Sequence, residues 1–353
     1  MKRFKSSDGL TALTSEDSPV APSVKDVAAM AGVSIGTVSN VLNRPTKVST
    51  DTRERVERAI RELGFIPSAP ARNLRTKHAR VLGLIVPDIG NPFFTEVARG
   101  VEDAALEAGY GVMLCNTDQR ADREDQYLRL LESQRVGGIL ITPARRSMKP
   151  LDRLIAGGTA IALLDNSSPS RQACSVYVDD AMGGTIAATH LQDLGHSSIM
   201  WLAGPSDIPQ VAEREAGILR FANEHDMTVI RIEAEQMSAE AGDRAMGAAL
   251  SNKLSATALI CANDLLALGA VRALTRAGLR VPQDISIVGY DDIDFAANAA
   301  VPLTSIRQPK YELGFAAAQL ILQECESSEP HAHRQIRFEP QLVIRSSTSA
   351  PHT

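Results

Sequence analysis

The sequence predicts a small all-α head carrying a helix-turn-helix, followed by a larger α/β body built as two doubly wound parallel-sheet subdomains. Three observations lead there. Residues 23–64 contain three short helical patterns, the first two separated by a glycine turn. From Val81 onward, eight apolar runs alternate with amphipathic stretches, the texture of parallel strands covered on both faces. The charge is also divided: residues 23–80 hold eleven Lys and Arg against five Asp and Glu, a net of +6, whereas residues 81–353 carry −11 within a chain total of −5. A basic head on an acidic body points to a polyanion partner for the head alone.

Residues 1–22 are polar and aperiodic and are expected to form a disordered tail. Order begins at Ser23, whose spacing to Asp26 matches a capping box with Asp in place of Glu, so a helix is expected over about 24–31. Gly32 breaks it in the left-handed conformation a tight turn needs. Ser34 then caps a second helix to about Leu42, with Val38, Val41 and Leu42 available to pack inward. Ser49 caps a third, in which Val56, Ala59, Ile60 and Leu63 recur at helical spacing, and Gly64 and Pro67 end it. The body's runs are VLGLIV (81–86), GYGVMLC (109–115), GGILI (137–141), TAIALL (159–164), SIMWLAG (198–204), MTVIRI (227–232), ATALICA (256–262) and DISIVGY (284–290). Eight runs exceed one comfortable sheet, hence two βα subdomains, each placing any ligand at the carboxyl ends of its strands. Residues 334–345 read as a closing strand pair.

Composition removes several classes. With 44% apolar and 22% charged residues the chain is ordinary globular material. It has no run near the ~18–20 apolar residues of a membrane helix, and the N-terminal MKRFKSSDGL lacks the apolar stretch of a secretory signal. Cys115, Cys174, Cys261 and Cys325 lie far apart without a CxxC pair, so neither a disulfide framework nor a zinc site is expected, and a reducing cytoplasm fits. No GxGxxG follows a strand, and GxxxxGK[ST], GxSxG and HExxH are absent. The seven histidines are scattered, with His196 in LGHSSI read as a turn residue. No catalytic residue, cofactor or metal is therefore expected, and an enzyme is disfavoured.

The segment 23–74 resembles the DNA-binding head and hinge of the lactose-repressor (LacI) family. The resemblance is carried in order by DVA (26–28), AGVS (31–34), TVS (37–39), VLN (41–43), VSTDTR (48–53) and the A-R-x-L of 71–74. It continues through NPFF (91–94), GH (195–196), AGP (203–205), AND (262–264), GLRVPQDISIVGYDD (278–292) and PLTSIRQP (302–309), so that it spans about residues 23–345. The resemblance implies a helix-turn-helix domain over 23–68, a hinge over 69–78 and an effector-binding and dimerisation body over 79–346 of the periplasmic-binding-protein type. Within the body it implies an N-subdomain of about 79–178 and 306–334 and a C-subdomain of about 179–303 and 335–346, with 347–353 left as a tail.

It also implies roles. The base readers of the second helix are Ile35, Gly36 and Asn40, where Asn can pair with adenine and Ile can meet a thymine methyl in the major groove. Thr37, Ser39, Asn43, Ser49 and Thr52 are expected on phosphates, which fix register without reading sequence. In the hinge, Leu74 is the minor-groove wedge beside Ala71 and Arg72. Pro70 departs from the family's aliphatic residue but is tolerated in a helix's first turn. Effector positions are Asn91, Phe93, Phe94, Asp165, Arg214, Asn263 and Asp291, a set of acceptors, donors and an aromatic face that suits a sugar or sugar derivative. Of the two phenylalanines, one is expected in the core and the other toward the ligand.

The expected protein is thus a cytoplasmic, nucleoid-associated bacterial transcriptional regulator, most simply a repressor. It would bind pseudo-palindromic operator DNA as a homodimer, with no membrane partner. Only SSTSAPHT follows Arg345, without leucine heptads, so no tetramerisation tail of the lactose-repressor kind is expected. Two alternatives stay open on sequence alone: a solute-binding protein of a transport system, and a corepressor-type regulator responding to a nucleobase. The sign of the effector's action is open too.

Overall fold

The computed structural model describes residues 22–65, 79–144, 147–167, 172–252, 256–327 and 331–351. The expected tail and the hinge, with Ala71, Arg72 and Leu74, lie outside the described residues. The chain divides into two compact units, residues 1–77 and 78–353.

In the first unit the helices are α1 (Val24–Ala31), α2 (Ile35–Asn43) and α3 (Thr50–Leu63). Asp26 folds back to accept from both the backbone N–H and the hydroxyl of Ser23, each at 2.7 Å. Gly32 adopts φ 62°, and the Arg55 guanidinium donates across it to the carbonyls of Ala31 (2.7 Å) and Gly32 (3.2 Å), fixing the turn between α1 and α2. Ser34 caps α2 as expected, accepting from the Thr37 N–H. Ser49 precedes α3 but does not cap it with its side chain. Its hydroxyl donates instead to the Thr52 hydroxyl at 2.9 Å. Val27, Ala28, Val38, Val41, Val56 and Ala59 close a small core.

The second unit contains two six-stranded sheets. The first comprises β1 (Ala79–Val86), β2 (Gly111–Asn116), β3 (Val136–Ile141), β4 (Ala160–Leu164), β5 (Cys174–Val178) and β11 (Gln335–Phe338), in the order β11-β5-β4-β3-β1-β2, all parallel. The second comprises β6 (Ser198–Ala203), β7 (Thr228–Glu233), β8 (Ala258–Cys261), β9 (Ser286–Asp291), β10 (Thr304–Arg307) and β12 (Gln341–Val343). Its order is β12-β10-β9-β8-β6-β7, with β12 antiparallel to β10. Helices α4 (Pro92–Glu107), α5 (Ala121–Ser133), α6 (Lys149–Ala156) and α12 (Lys310–Glu326) flank the first sheet. Helices α7 (Asp180–Asp193), α8 (Pro209–Glu224), α9 (Ala239–Ser251) and α10 (Asp264–Arg276), with the short α11 (Asp294–Ala297), serve the second. All eight expected apolar runs are strands. Buried Leu, Ile and Val fill both sheets because helices cover both faces.

Four expectations need correction. Residues 334–345 are not a strand pair: β11 joins β5 in the first sheet while β12 joins β10 in the second, so 335–338 belong to the N-subdomain. Each segment satisfies the backbone groups of a different open sheet edge, and Pro340 between them has no N–H to offer a hairpin. Conversely Ile306 and Arg307 lie on β10 of the second sheet, not in the first subdomain. Residues 347–349 are no loose tail. Ser347 is fully buried, accepting from the Ile287 and Thr304 N–H groups (2.7 and 2.8 Å) and donating to the Ile287 carbonyl. His196, read as a turn residue, is buried between Thr257 Oγ1 (2.7 Å) and the Ser349 carbonyl (2.9 Å), which locks the same segment down.

The chain passes between the sheets three times, at Asp179, at Gln308–Pro309 and at Glu339–Pro340. The first and third passages are tied together: the Asp179 N–H donates to the Phe338 carbonyl at 2.9 Å, and Arg337 pairs with the Asp179 carboxylate at 3.1 Å.

Candidate functional site

The carboxyl ends of the two sheets face one cavity of about 800 Å³, counting its open mouth. Strand ends supply Thr142 after β3, Asp165 after β4, Asn263 after β8 and Asp291 at the end of β9. Helix starts supply Asn91, Phe93 and Phe94 at α4 and Gln210 and Arg214 at α8, and the second passage supplies Gln308. All seven expected effector positions line this one cavity.

Several of these residues have a structural task as well. The Asn91 side-chain oxygen accepts from the Phe93 N–H, capping α4, while its amide donates to Asp291 Oδ2 at 3.3 Å. The Asn263 oxygen likewise caps α10 through the Leu266 N–H, and its amide donates to the Met237 carbonyl. Phe93 is buried in the first subdomain's core, and Phe94, half-buried, meets its ring edge to face at 4.9 Å; both touch the cavity. Asp165 and Asp291 sit at φ 51° and 104°. The second lies beyond the ordinary left-handed region, and strain of this kind costs about 1–3 kcal/mol and concentrates at ligand clamps.

Arg214, which lines the cavity, is also engaged within its wall. Its Nε donates to Asp180 Oδ1 at 2.7 Å and its Nη1 to the Ala262 carbonyl, while the guanidinium lies 3.6 Å from the centre of the Tyr290 ring. The Tyr290 hydroxyl donates to the same Asp180 oxygen at 2.8 Å. This fully buried network joins the starts of α7 and α8 to the ends of β8 and β9, so Arg214 positions the cavity wall. Burial opposes its charge, but Asp180 foremost, then Tyr290, Asp291 and Asp165, hold it firmly protonated.

The carboxylates around it respond differently. Burial, reinforced by the negative charge of Asp180, pushes Asp165 well above the ordinary carboxylate range. Burial also raises Asp291, moderated by Arg214 and by hydrogen bonds from Asn91 and Gln308. Three of the lining residues each hold a buried side-chain oxygen with no hydrogen-bond partner: Thr142 Oγ1, Asp165 Oδ1 and Gln308 Oε1. Gln308 donates its amide to Asp291 Oδ1 at 2.7 Å, and Gln210 donates to both the carbonyl and the carboxylate of Asp165. Thr142, Gln210 and Gln308 were not among the expected positions. Gln308 lies inside PLTSIRQP, which the sequence did single out, whereas Thr142 and Gln210 carry no local motif.

On the head, Ile35, Gly36, Ser39 and Asn40 are exposed along one side of α2, opposite buried Val38 and Val41. Ile35 is 47% exposed. Thr37 is half-buried and holds Ser34 Oγ at 2.9 Å, and Ser49 and Thr52 meet beside the start of α3. Asn43 closes α2.

The comparisons with known proteins follow the same division. The family model described as bacterial regulatory proteins, lacI family, matches residues 23–68, and that of the periplasmic binding protein-like domain matches residues 188–348. The chain is 34% identical over 333 residues to the HTH-type transcriptional repressor PurR of Aliivibrio fischeri, covering 92% of this chain and 98% of that protein. The Lac repressor dimer bound to operator and the anti-inducer ONPF superposes with a TM-score of 0.83 at 30% identity, covering 94% of this chain and 100% of that one. A LacI family transcriptional regulator from Enterococcus faecium with bound ribose superposes with a TM-score of 0.70 at 31% identity, covering 77% and 100%. The likeness runs through head and body together, and the chain belongs to the lacI family of bacterial regulatory proteins.

Proposed function

We propose that the protein is a cytoplasmic transcriptional repressor that binds pseudo-palindromic operator DNA as a homodimer and is switched by a polyhydroxylated ligand, a sugar or sugar derivative, in the cavity between the two sheets. Ile35 and Asn40 read bases, with Gly36 permitting close approach, and Thr37, Ser39, Asn43, Ser49 and Thr52 hold phosphates. The observation that carries the ligand class is the set of unpartnered buried oxygens. Thr142, Asp165 and Gln308, which line the cavity together with Phe94, each hold one. Leaving such groups unmade is costly, and a ligand rich in hydroxyl donors with an apolar ring face satisfies them. The ribose bound by the Enterococcus faecium neighbour is of that class.

Operator affinity then changes only by the ligand's differential affinity for the two arrangements of the sheets. The DNA-binding family match over 23–68 disfavours a transport role, for which such a head has no use. Dimerisation is assigned to the open edge of the first sheet, where β2 exposes Met113 and Leu114 and α4 exposes Leu106.

Thermal-shift screening of the full chain against pentoses, hexoses, nucleosides and nucleobases tests the ligand class. A sugar is expected to stabilise the protein and shift operator affinity, and Asp165→Asn to weaken that sugar by about ten- to a hundredfold. Stabilisation by a nucleobase alone overturns the sugar reading.

A further inference from the structure

At the opposite end of the first sheet from the cavity, four side chains with metal-ligand chemistry converge. Cys174 opens β5, Glu324 lies in the last turn of α12, and His331 and His333 precede β11. Cys174 Sγ is 3.2 Å from His331 Nε2 and 4.0 Å from His333 Nδ1, and His333 Nδ1 is 3.8 Å from Glu324 Oε2. All four donor atoms lie within 4.8 Å of one another.

We propose that these four side chains form a zinc site, with the Cys174 thiolate, His331 Nε2, His333 Nδ1 and Glu324 Oε2 as ligands. Zn–S bonds near 2.3 Å and Zn–N or Zn–O bonds near 2.0–2.2 Å place neighbouring tetrahedral ligands about 3.4–3.6 Å apart. The three nearest spacings here bracket that value, so rotamer shifts of about an ångström close the shell. One thiolate, two imidazoles and one carboxylate make a donor set suited to Zn²⁺ over Mg²⁺ or Ca²⁺.

Two further observations fit a built site. Glu324 Oε2 is buried with no hydrogen-bond partner, an acceptor aimed at the cluster. The Arg334 N–H points at Cys174 Sγ at 3.5 Å while the Arg334 carbonyl accepts from the Ser175 N–H, so β-sheet pairing itself orients the sulfur. Cys174 is fully buried and the Glu324 and His333 side chains are 19% and 25% exposed, a position that excludes bulk water yet leaves an entry path. The expectation of no metal rested on cysteine spacing. Only His331 and His333 are near each other in sequence, and the pairing of β11 with β5 brings in a cysteine 157 residues away. Bound zinc would clip the end of α12 and the approach to β11 onto β5, adding stability to the first subdomain independently of any cavity ligand.

The test uses reduced, metal-free full-length protein titrated with Zn²⁺ by calorimetry and with Co²⁺ by absorbance. One ion per chain, a raised Tm and a sulfur-to-cobalt charge-transfer band are expected. Cys174→Ser should abolish the band, and the paired His331→Asn and His333→Asn changes should raise the Zn²⁺ Kd at least about tenfold. If Cys174→Ser fails to fold, the histidine variant decides through its Kd and the wild-type band assigns the sulfur. Binding unchanged by loss of both histidines, a cobalt spectrum without the thiolate band, or no zinc binding at all overturns the site.

Discussion

Asn91 and Asn263 each hold a helix N-terminus with one side-chain oxygen and a cavity-wall partner with the amide, so the proposed ligand contact and local folding would share the same residues. Substitution there is expected to cost stability as well as affinity, whereas Asp165, whose Oδ1 has no partner, is the cleaner probe of the ligand. On α2 the side chains divide cleanly, and Gly36 has nothing with which to read a base. Asn40→Ala should therefore relax selectivity at one position in each half-site, and binding-site selection from a random pool returning the wild-type consensus would exclude the contact. Asp264 offers a pH test. Burial, with the charge of Asp291, raises it from 3.8 to about 8, although it accepts from Ser305 Oγ and the Ile293 N–H. A carboxyl that holds its proton more tightly when folded contributes stability that is complete below its unfolded pKa and lost as pH rises through about 8. The Tm of wild type should therefore fall more between pH 5 and pH 8 than that of Asp264→Asn, as measured by thermal denaturation in parallel.

Among the elements, the helix pairs α4–α12, α7–α8 and α9–α10 cross through reciprocal glycines: Gly100 with Gly314, Gly184 with Gly217, and Gly242 with Gly269. A Cβ on Gly217 would run into the Ala181 carbonyl oxygen. Gly217→Ala should destabilise by about 1–3 kcal/mol in denaturant titration, with loosening of the Asp180–Arg214 wall as its functional trace. The sheet edge makes a second test. Leu114→Glu on β2, where the native side chain is 40% exposed, should convert a dimer to a monomer by light scattering without lowering Tm greatly. The helices and long strands were legible because their periodicity or apolar runs are set by burial. The strands without a continuous apolar run were less so: Cys174–Val178 and Thr304–Arg307 mix polar with apolar residues, and the alternating exposure of Gln335–Phe338 fits an edge of either sheet. The same limit hid Thr142 and Gln210, which matter through where a strand or helix ends and not through any neighbouring residue.

For the molecule as a whole, the split between a +6 head and a −11 body concentrates the electrostatics of DNA binding in the first 80 residues. Operator affinity should fall linearly with the logarithm of salt, by roughly 10³-fold between about 50 and 200 mM, while cavity binding barely changes. Removing residues 1–78 should abolish the first and keep the second. The two tightly tied passages at Asp179 and Glu339–Pro340, and the third at Gln308–Pro309, have a mechanical meaning. Two bodies joined by three short tethers, two of them bonded to each other, keep few of their six rigid-body freedoms. Sliding and separation stretch at least one tether, and twisting shears them against each other. A bend at the tethers is the motion expected to stay softest, so ligands of different shape in the proposed site would set different angles along one and the same path.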